Sequence, residues 1–395
     1  MLQTIAIRGY RSLRDIVLPV RRLTVVTGAN GTGKSSLYRA LRLLADCGRG
    51  EVIGSLAREG GLDSVLWAGP EQLAGARRTG RIEGTTRTAP VALELGFASD
   101  DFGYFVDLGM PQMAGHKSLF TLDPEIKREV VFAGAVMRRG STLVKRTRDY
   151  VEASAESGSG FEEVSRSLPS YRSVLAEYAH PGAHPELAAV RHRLRTWRFY
   201  DGFRIDATAP SRLPQVGTRT PVLSDDGRDV AAAVQTILEA GFDDFARAVA
   251  DAFDGASVSV AVHDGLFDLQ LRQKGMLRPL RVTELSDGTL RFLLWAAALC
   301  SPQPPSLMVL NEPETSLHPD LLRPLASLIA SAANVTQVVV VTHSKAMLEF
   351  LGAESIADAD AHAPAVELPL YKDQGETRIE GVGMLTAPAW DWGKR

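Results

Sequence analysis

Eight residues constrain this chain more than any others: Gly28-Ala29-Asn30-Gly31-Thr32-Gly33-Lys34-Ser35. They satisfy G-x-x-x-x-G-K-[ST], a loop whose glycines let backbone amides close around phosphate oxygens. The context fits. Leu23–Thr27 is a β-branched run that ends at Gly28, and Leu37, Leu41 and Leu44 share one face of a helix predicted from Lys34 to about Ala45. The N-terminus of that helix adds a dipole favourable to anions. Asn30, Gly31, Thr32, Gly33, Lys34, Ser35 and Ser36 are therefore expected to hold a nucleotide. Lys34 would reach the β- and γ-phosphates, and the Ser35 hydroxyl would contact Mg2+. A glycine-rich turn with an exposed lysine is the plain alternative; the strand before the loop and the helix after it weigh against that.

Three further segments carry chemistry. Leu307–Leu310 is an apolar strand followed by Asn311-Glu312-Pro313-Glu314, which suits a parallel strand ending at a phosphate site. There Glu312 can polarise a water and Asn311 can help hold the metal's water shell, although an acidic helix-capping turn reads the same way. Ser286-Asp287-Gly288 precedes a helix predicted to reach about Cys300. A hydroxyl and a glycine amide at a helix start can bind a γ-phosphate, and an ordinary N-cap explains them equally well. His343 follows the apolar strand Gln337–Val341, roughly 30 residues after Glu312 with one helix between. A β-α-β unit would bring both to one sheet edge. The intervening helix is expected to follow Pro319, with Pro324 kinking it or delaying its start.

Composition excludes several alternatives. The 395 residues are 45% hydrophobic and 23% charged, ordinary for a globular protein. Net charge is −3, so bulk charge does not attract nucleic acid. Two distant cysteines, Cys47 and Cys300, offer neither a disulfide framework nor a zinc set and fit a reducing compartment. Met1–Arg8 lacks a signal-peptide core, and Phe292–Cys300 is far shorter than the roughly 20 residues that span a bilayer. A cytoplasmic location is expected.

Between the phosphate loop and the last third, 46–90 reads as a loop or long connection. Antiparallel strands are predicted at Val91–Phe97, Phe102–Leu108, Val130–Met137, Thr142–Lys145 and Arg148–Val151. Residues 152–160 read as a flexible connection. Helices follow at Pro185–Tyr200, Asp229–Leu238 and Phe242–Phe253, then a hairpin turning at Asp264-Gly265. The expected organisation is an N-terminal head part at 1–160, an inserted, mainly helical lobe at 161–254, a C-terminal head part at 255–350 and an extension at 351–395.

Taken in chain order, these four segments resemble the Walker A, signature, Walker B and switch-histidine motifs of the ATP-binding-cassette class of P-loop ATPases. Ile7-Arg8-Gly9-Tyr10-Arg11-Ser12-Leu13 resembles the N-terminal strand and turn of RecF, SMC and OLD-type heads. Glu312-Pro313-Glu314-Thr315-Ser316-Leu317-His318-Pro319 is similar to the EPE…LHP run of RecF-like and OLD-like ATPases, and Trp197-Arg198-Phe199-Tyr200 looks like a recurring stretch of bacterial RecF-like ATPases. The resemblance implies an α/β head of the P-loop class with an antiparallel β region. It also implies ATP hydrolysis, slow unless two heads meet and sandwich two nucleotides. Glu312 would be the general base and His343 would contact the γ-phosphate. Ser286, Asp287 and Gly288 of the second head would close over that phosphate, and the Ser316–His318 loop would cross the interface.

The sequence departs from the class pattern in three places. Asn311 stands where an aspartate is usual, which removes a negative charge beside Mg2+. Asp287 replaces a glycine, and an arginine such as Arg291 is expected to pair with it. No residue is assigned to the glutamine loop.

Arginines interleaved with aromatics (Arg191, Arg195 and Arg198 on one helical stripe, with Arg193 and Arg204 nearby) can track a phosphate backbone. So can a second group, Arg138, Arg139, Lys145, Arg146 and Arg148. A solvated helix face is the plain alternative. The roughly 250 residues between loop and signature lack heptads for a coiled coil. Asp358-Ala359-Asp360 lacks the room and the partner glutamate of a nuclease site and reads as an acidic loop. Three functions compete: an ATPase whose dimerisation gates DNA binding, a nucleotide-gated switch controlling a separate effector protein such as a nuclease, and a transporter subunit. The long insertion and the EPE…LHP run oppose the last.

Overall fold

β-Branched and aliphatic runs form two large sheets and a smaller one in the computed structural model, which describes residues 1–70, 92–111, 119–120, 122–155, 160–359, 363–383 and 386–393. In chain order the elements begin with β1 (Leu2–Tyr10), β2 (Leu13–Pro19), β3 (Leu23–Gly28), α1 (Lys34–Arg49), α2 (Val52–Arg58) and α3 (Leu62–Val65). Six strands follow: β4 (Ala92–Ser99), β5 (Phe102–Gly109), β6 (Glu125–Ala133), β7 (Thr142–Thr147), β8 (Tyr150–Ser154) and β9 (Phe161–Ser165). Then come α4 (Val174–Glu177), α5 (Pro185–Thr196), β10 (Arg198–Tyr200), β11 (Gln215–Val216), α6 (Val230–Glu239), α7 (Asp243–Ala252), β12 (Ser257–His263), β13 (Leu266–Arg272) and β14 (Leu280–Arg281). The chain ends with α8 (Asp287–Leu299), β15 (Leu307–Asn311), α9 (Pro319–Ala332), β16 (Gln337–Val341), α10 (Lys345–Leu351), β17 (Glu354–Ser355), β18 (Ala365–Asp373) and β19 (Glu376–Ile379).

The chain divides into two compact units, neither continuous in sequence. The first comprises Met1–Val20, Gly28–Trp197 and Leu368–Arg395. It holds an eight-stranded antiparallel sheet in the order β2-β1-β4-β5-β6-β7-β8-β9. α5 lies along α1, and the approach is close at Gly48: a Cβ there would stand 2.5 Å from Leu194 Cβ, so only glycine fits. Trp390 and Trp392 pack edge-on against Phe132 and Phe105 on the sheet.

The second unit comprises Arg21–Thr27 and Arg198–Glu367. Its parallel sheet runs β10-β15-β16-β3-β18-β17. β15, β16 and β3 are buried along almost their whole length, which explains their unbroken apolar sequences. The core beneath includes Leu23, Val25, Tyr200, Trp295, Met308 and Val340. A smaller sheet is built on the β12–β13 hairpin, which turns at Asp264-Gly265 as expected.

Several sequence expectations are altered. The expected connection at 152–160 begins inside β8, and β9 pairs antiparallel with β8 (156–159 lie outside the described residues). The expected connection at 46–90 contains α2 and α3, with 71–91 outside the described residues. The helices of 161–254 are divided between the units: α5 packs on α1, whereas α6 and α7 pack on α8. The borders of the two units thus differ from 1–160, 161–254, 255–350 and 351–395, because each unit gathers segments distant in sequence. α9 starts at Pro319 and continues through Pro324, which forfeits only one bond near the helix start.

Candidate functional site

In the first unit, Gly28, Gly31 and Gly33 all have positive φ (143°, 80° and 112°), the region that excludes most side chains. A Cβ on Gly28 would lie 2.5 Å from the Leu370 carbonyl oxygen, and one on Gly33 would lie 2.3 Å from Thr377 Oγ1. At Gly31 the space is open. Glycine at the two ends thus lets the loop close, while Asn30 and Gly31 are exposed at its middle. Thr377, on β19, anchors the loop: its hydroxyl donates to the Thr32 carbonyl (2.7 Å) and lies 2.8 Å from Ser12 Oγ. Lys34 is buried, and its ammonium donates to the carbonyls of Gly28 (2.6 Å) and Ala29 (3.1 Å). Gly33 caps α1 without a side-chain acceptor. The first amides of α1 therefore have no side-chain cap, and Ser35 is exposed beside them. A glycine cradle, a folded-back lysine and an uncapped helix start fit the phosphates of a nucleotide; the Ser35 hydroxyl suits the hard, oxygen-preferring Mg2+.

In the second unit, β15 and β16 are parallel neighbours whose register sets Asn311 opposite Val341. Their carboxyl ends deliver Asn311, Glu312 and His343 to one edge, the expected place for a ligand. Glu312 has φ 47° although it precedes Pro313, a combination that disfavours every residue but glycine. Its amide donates to the Val341 carbonyl (2.7 Å), which holds this strained backbone in place. His343 Nδ1 lies 3.4 Å from Glu312 Oε1 and 3.8 Å from Glu314 Oε1. Glu314 is buried; Thr342 Oγ1 donates to one of its oxygens, and the other has no partner. Thr342 in turn bonds through its amide to Val26 of β3 (3.0 Å), the strand that runs on into the phosphate loop.

The Ser286 hydroxyl accepts from the Thr289 amide and caps α8, as its sequence implies. Asp287 does not pair with Arg291. It pairs with Arg212, a buried residue whose Nη2 donates to Asp287 Oδ1 (2.7 Å) while the rest of the guanidinium serves the carbonyls of Ile205, Val282 and Leu285. Arg291, one helical turn further along the same face, instead donates to the Thr315 carbonyl of the loop after β15 (2.8 Å), while Arg212 takes Asp287. Arg212 gave no signal in the sequence, since only tertiary contact brings it to α8. Gly288 lies close to Ser316, and His318 caps α9 through its own Nδ1. Two groups thus form in this unit: Asn311–Glu312–Glu314–His343 at the sheet edge, and Ser286–Asp287–Gly288 beside the loop that leads to His318.

The basic stripe is corrected. α5 stops at Thr196, where buried Trp197 takes an extended backbone and turns the chain into β10. Arg198 therefore leaves the helix that carries Arg191 and Arg195. In the second basic group, Arg146 is fully buried and paired with Glu129 (3.0 Å), so it is a core residue and not a phosphate contact. Lys145 pairs with Glu152. Of the acidic loop, Asp360 lies outside the described residues. No group of metal-ligating side chains large enough to hold an ion by itself occurs among the described residues.

A family model described as "AAA domain, putative AbiEii toxin, Type IV TA system" matches residues 23–349, most of the chain. The chain belongs to this family. No curated protein matches it in sequence. Among solved structures, the SMC head bound to the C-winged helix domain of ScpA is 13% identical, with 98% of this chain and 99% of that chain covered and a TM-score of 0.51. An SMC head with an extended coiled coil, bound to the C-terminal domain of ScpA and derived from Pyrococcus furiosus, is 12% identical over 96% of this chain and 95% of that chain, TM-score 0.50. The SMC head domain from Thermotoga maritima is 14% identical over 97% and 99%, TM-score 0.48. The likeness to the first two is one of fold, and it is the fold of ABC-class P-loop heads. With the family it makes this AAA-domain protein a P-loop ATPase of that class. No helix among the described residues is long and apolar enough to cross a membrane.

Proposed function

We propose that this AAA-family head binds ATP with Mg2+ and hydrolyses it slowly, in a RecF-like dimer whose closure gates DNA binding in repair, genome maintenance or defence. The observation that carries the reading is the Glu312–His343 pair, 3.4 Å apart at the ends of adjacent parallel strands, on the sheet whose next strand enters the phosphate loop. In this reading Lys34 exchanges its two carbonyl partners for β- and γ-phosphate oxygens, and the amides of 30–36 hold the rest of the phosphate chain. Ser35 and Asn311 hold Mg2+, which supplies charge neutralisation on the phosphate oxygens. Glu312 accepts the proton of the attacking water, and His343 donates a hydrogen bond to the γ-phosphate. Ser286 and Gly288 of a second copy complete the site, with Asp287 held back by Arg212 so that its charge is partly neutralised. His318 lies on the loop that would cross between copies. A site half-built in one copy accounts for slow turnover in the monomer.

DNA is the less supported partner, because Arg198 has left the stripe and Arg146 is buried; Arg191 and Arg195 of α5 remain. The second reading, a nucleotide-gated switch acting on a separate effector, is favoured by Asn311, which removes a charge from the metal position. Steady-state ATP hydrolysis, at low salt and with or without single- and double-stranded DNA, separates the two. We expect Lys34→Ala to abolish turnover. Glu312→Gln should lower it about 100-fold or more while ATP stays bound. An unchanged rate in Glu312→Gln would sink the general-base assignment. Turnover that rises with DNA supports the first reading, and turnover blind to DNA supports the switch.

A further inference from the structure

On one face of the first unit's sheet, strand register sets two rows side by side. In the first, Asp15, Arg8, Glu94, Asp107 and Arg128 stand on neighbouring strands. In the second, Ala6, Gly96, Phe105 and Val130 do the same. The segment Thr386–Gly393 lies across this face. The Trp390 ring enters the space that Gly96 leaves inside β4: a Cβ there would stand 2.4 Å from Trp390 Cζ2. Trp390 and Trp392 meet edge-on with centroids 5.6 Å apart, and the Arg8 guanidinium lies over the Trp392 ring at 4.3 Å. With Phe105 and Phe132 the two indoles make a small apolar cluster of their own.

The segment is attached by side chains. Among the described residues, the backbone of Pro388–Gly393 makes one bond to the sheet, from Arg128 Nη2 to the Trp392 carbonyl (3.3 Å). The charged row beneath is complete without it. Arg8 pairs with Asp15 and Glu94 (3.0 Å each), and Arg128 pairs with Glu94 (2.9 Å) and Asp107 (3.0 Å). Lifting the segment therefore leaves no charge unpaired. Trp390 Nε1 is buried with no acceptor, so this ring fills the slot by shape and loses a hydrogen bond there. We propose that this face is a docking surface for an extended segment of a partner protein that carries two aromatic side chains two positions apart, and that Thr386–Gly393 holds the place as a stand-in which such a segment displaces. The stand-in shows the chemistry that is recognised: one ring in the Gly96 slot, one under Arg8, and a backbone carbonyl on Arg128. A competing ring that has no N–H, or that brings its own acceptor, gains at the slot. A phosphate backbone does not fit, because three carboxylates (Asp15, Glu94 and Asp107) outnumber the two guanidiniums of the row. None of these residues takes part in the nucleotide reading above, so the surface stands or falls apart from it.

The test uses the full chain and a fluorescein-labelled peptide with the sequence of residues 386–393, followed by fluorescence anisotropy without nucleotide. In the double variant Trp390→Ala with Trp392→Ala the cover is lost, and the peptide should bind. Wild type should bind it about tenfold or more weakly, because its own segment competes from the same chain, and should reach the same plateau at excess peptide. A peptide with both tryptophans replaced by alanine should bind neither protein. Peptide binding that is absent from the double variant, or equal in the two proteins, overturns the proposal. A wild type closed to excess peptide overturns it as well, since the segment is then a fixed part of the sheet, and a double variant that no longer shows a cooperative urea transition has the same meaning. Wild type and double variant that sediment together as a mixed dimer, dissociated by the peptide, would make a second copy the occupant and overturn the assignment to a different partner.

Discussion

Gly33 has no room for a side chain. Its φ of 112° and the 2.3 Å gap to Thr377 Oγ1 combine backbone strain with a clash. Gly33→Ala should destabilise the protein by about 1–3 kcal/mol, read as a lower urea midpoint. A midpoint equal to wild type would mean that the loop relaxes without cost. The glycine pattern was legible in the sequence; its second clamp, Thr377, was not, because it comes from a strand more than 340 residues away. The same holds for Arg212. It is an unremarkable side chain in sequence, and it acquires a partner only when loops meet. Conversely, Glu312 and His343 were legible because a β-α-β unit fixes which ends of its strands coincide.

At the scale of elements, β6 and β7 are joined by a charged pair inside the first unit. Arg146 and Glu129 are fully buried, and every other bond they make is accounted for. Glu129 accepts from Tyr104, Ser173 and the Val174 amide, and Arg146 serves the carbonyls of Arg148, Pro169 and Arg172. Burial, with Glu129 close by, pushes the Cys47 thiol and the Tyr104 hydroxyl up, so both stay neutral. Arg146→Ala leaves a buried carboxylate without its counter-charge and should cost about 3–5 kcal/mol, measured by chemical denaturation. If Arg146 were a phosphate contact instead, the variant would keep its stability and lose DNA affinity. Sequence could not separate these outcomes, since an arginine in an amphipathic strand reads the same whether it faces solvent or a buried glutamate. Helix starts were easier. Ser286 caps α8 where local sequence says it should, because a cap is decided within four residues.

For the whole molecule, the proposed dimer carries a consequence in concentration. If Ser286 and Gly288 of one copy complete the site of another, hydrolysis per protomer must rise with protein concentration. In sedimentation, Glu312→Gln with ATP should run as a dimer and Lys34→Ala as a monomer. Specific activity constant over a hundredfold range of dilution would show that each copy is complete alone. The phosphate loop, the parallel strands β3, β15 and β16, the helix caps and the class of ATPase were all determined by sequence, because each depends on contacts within a few residues or on one obligatory crossover. How the middle of the chain is shared between two units, where Arg146 and Arg198 go, and which residues stand beside Asp287 and Gly33 were decided by tertiary structure. Those neighbours are distant in sequence, and burial and charge pairing select them only once the sheets have formed.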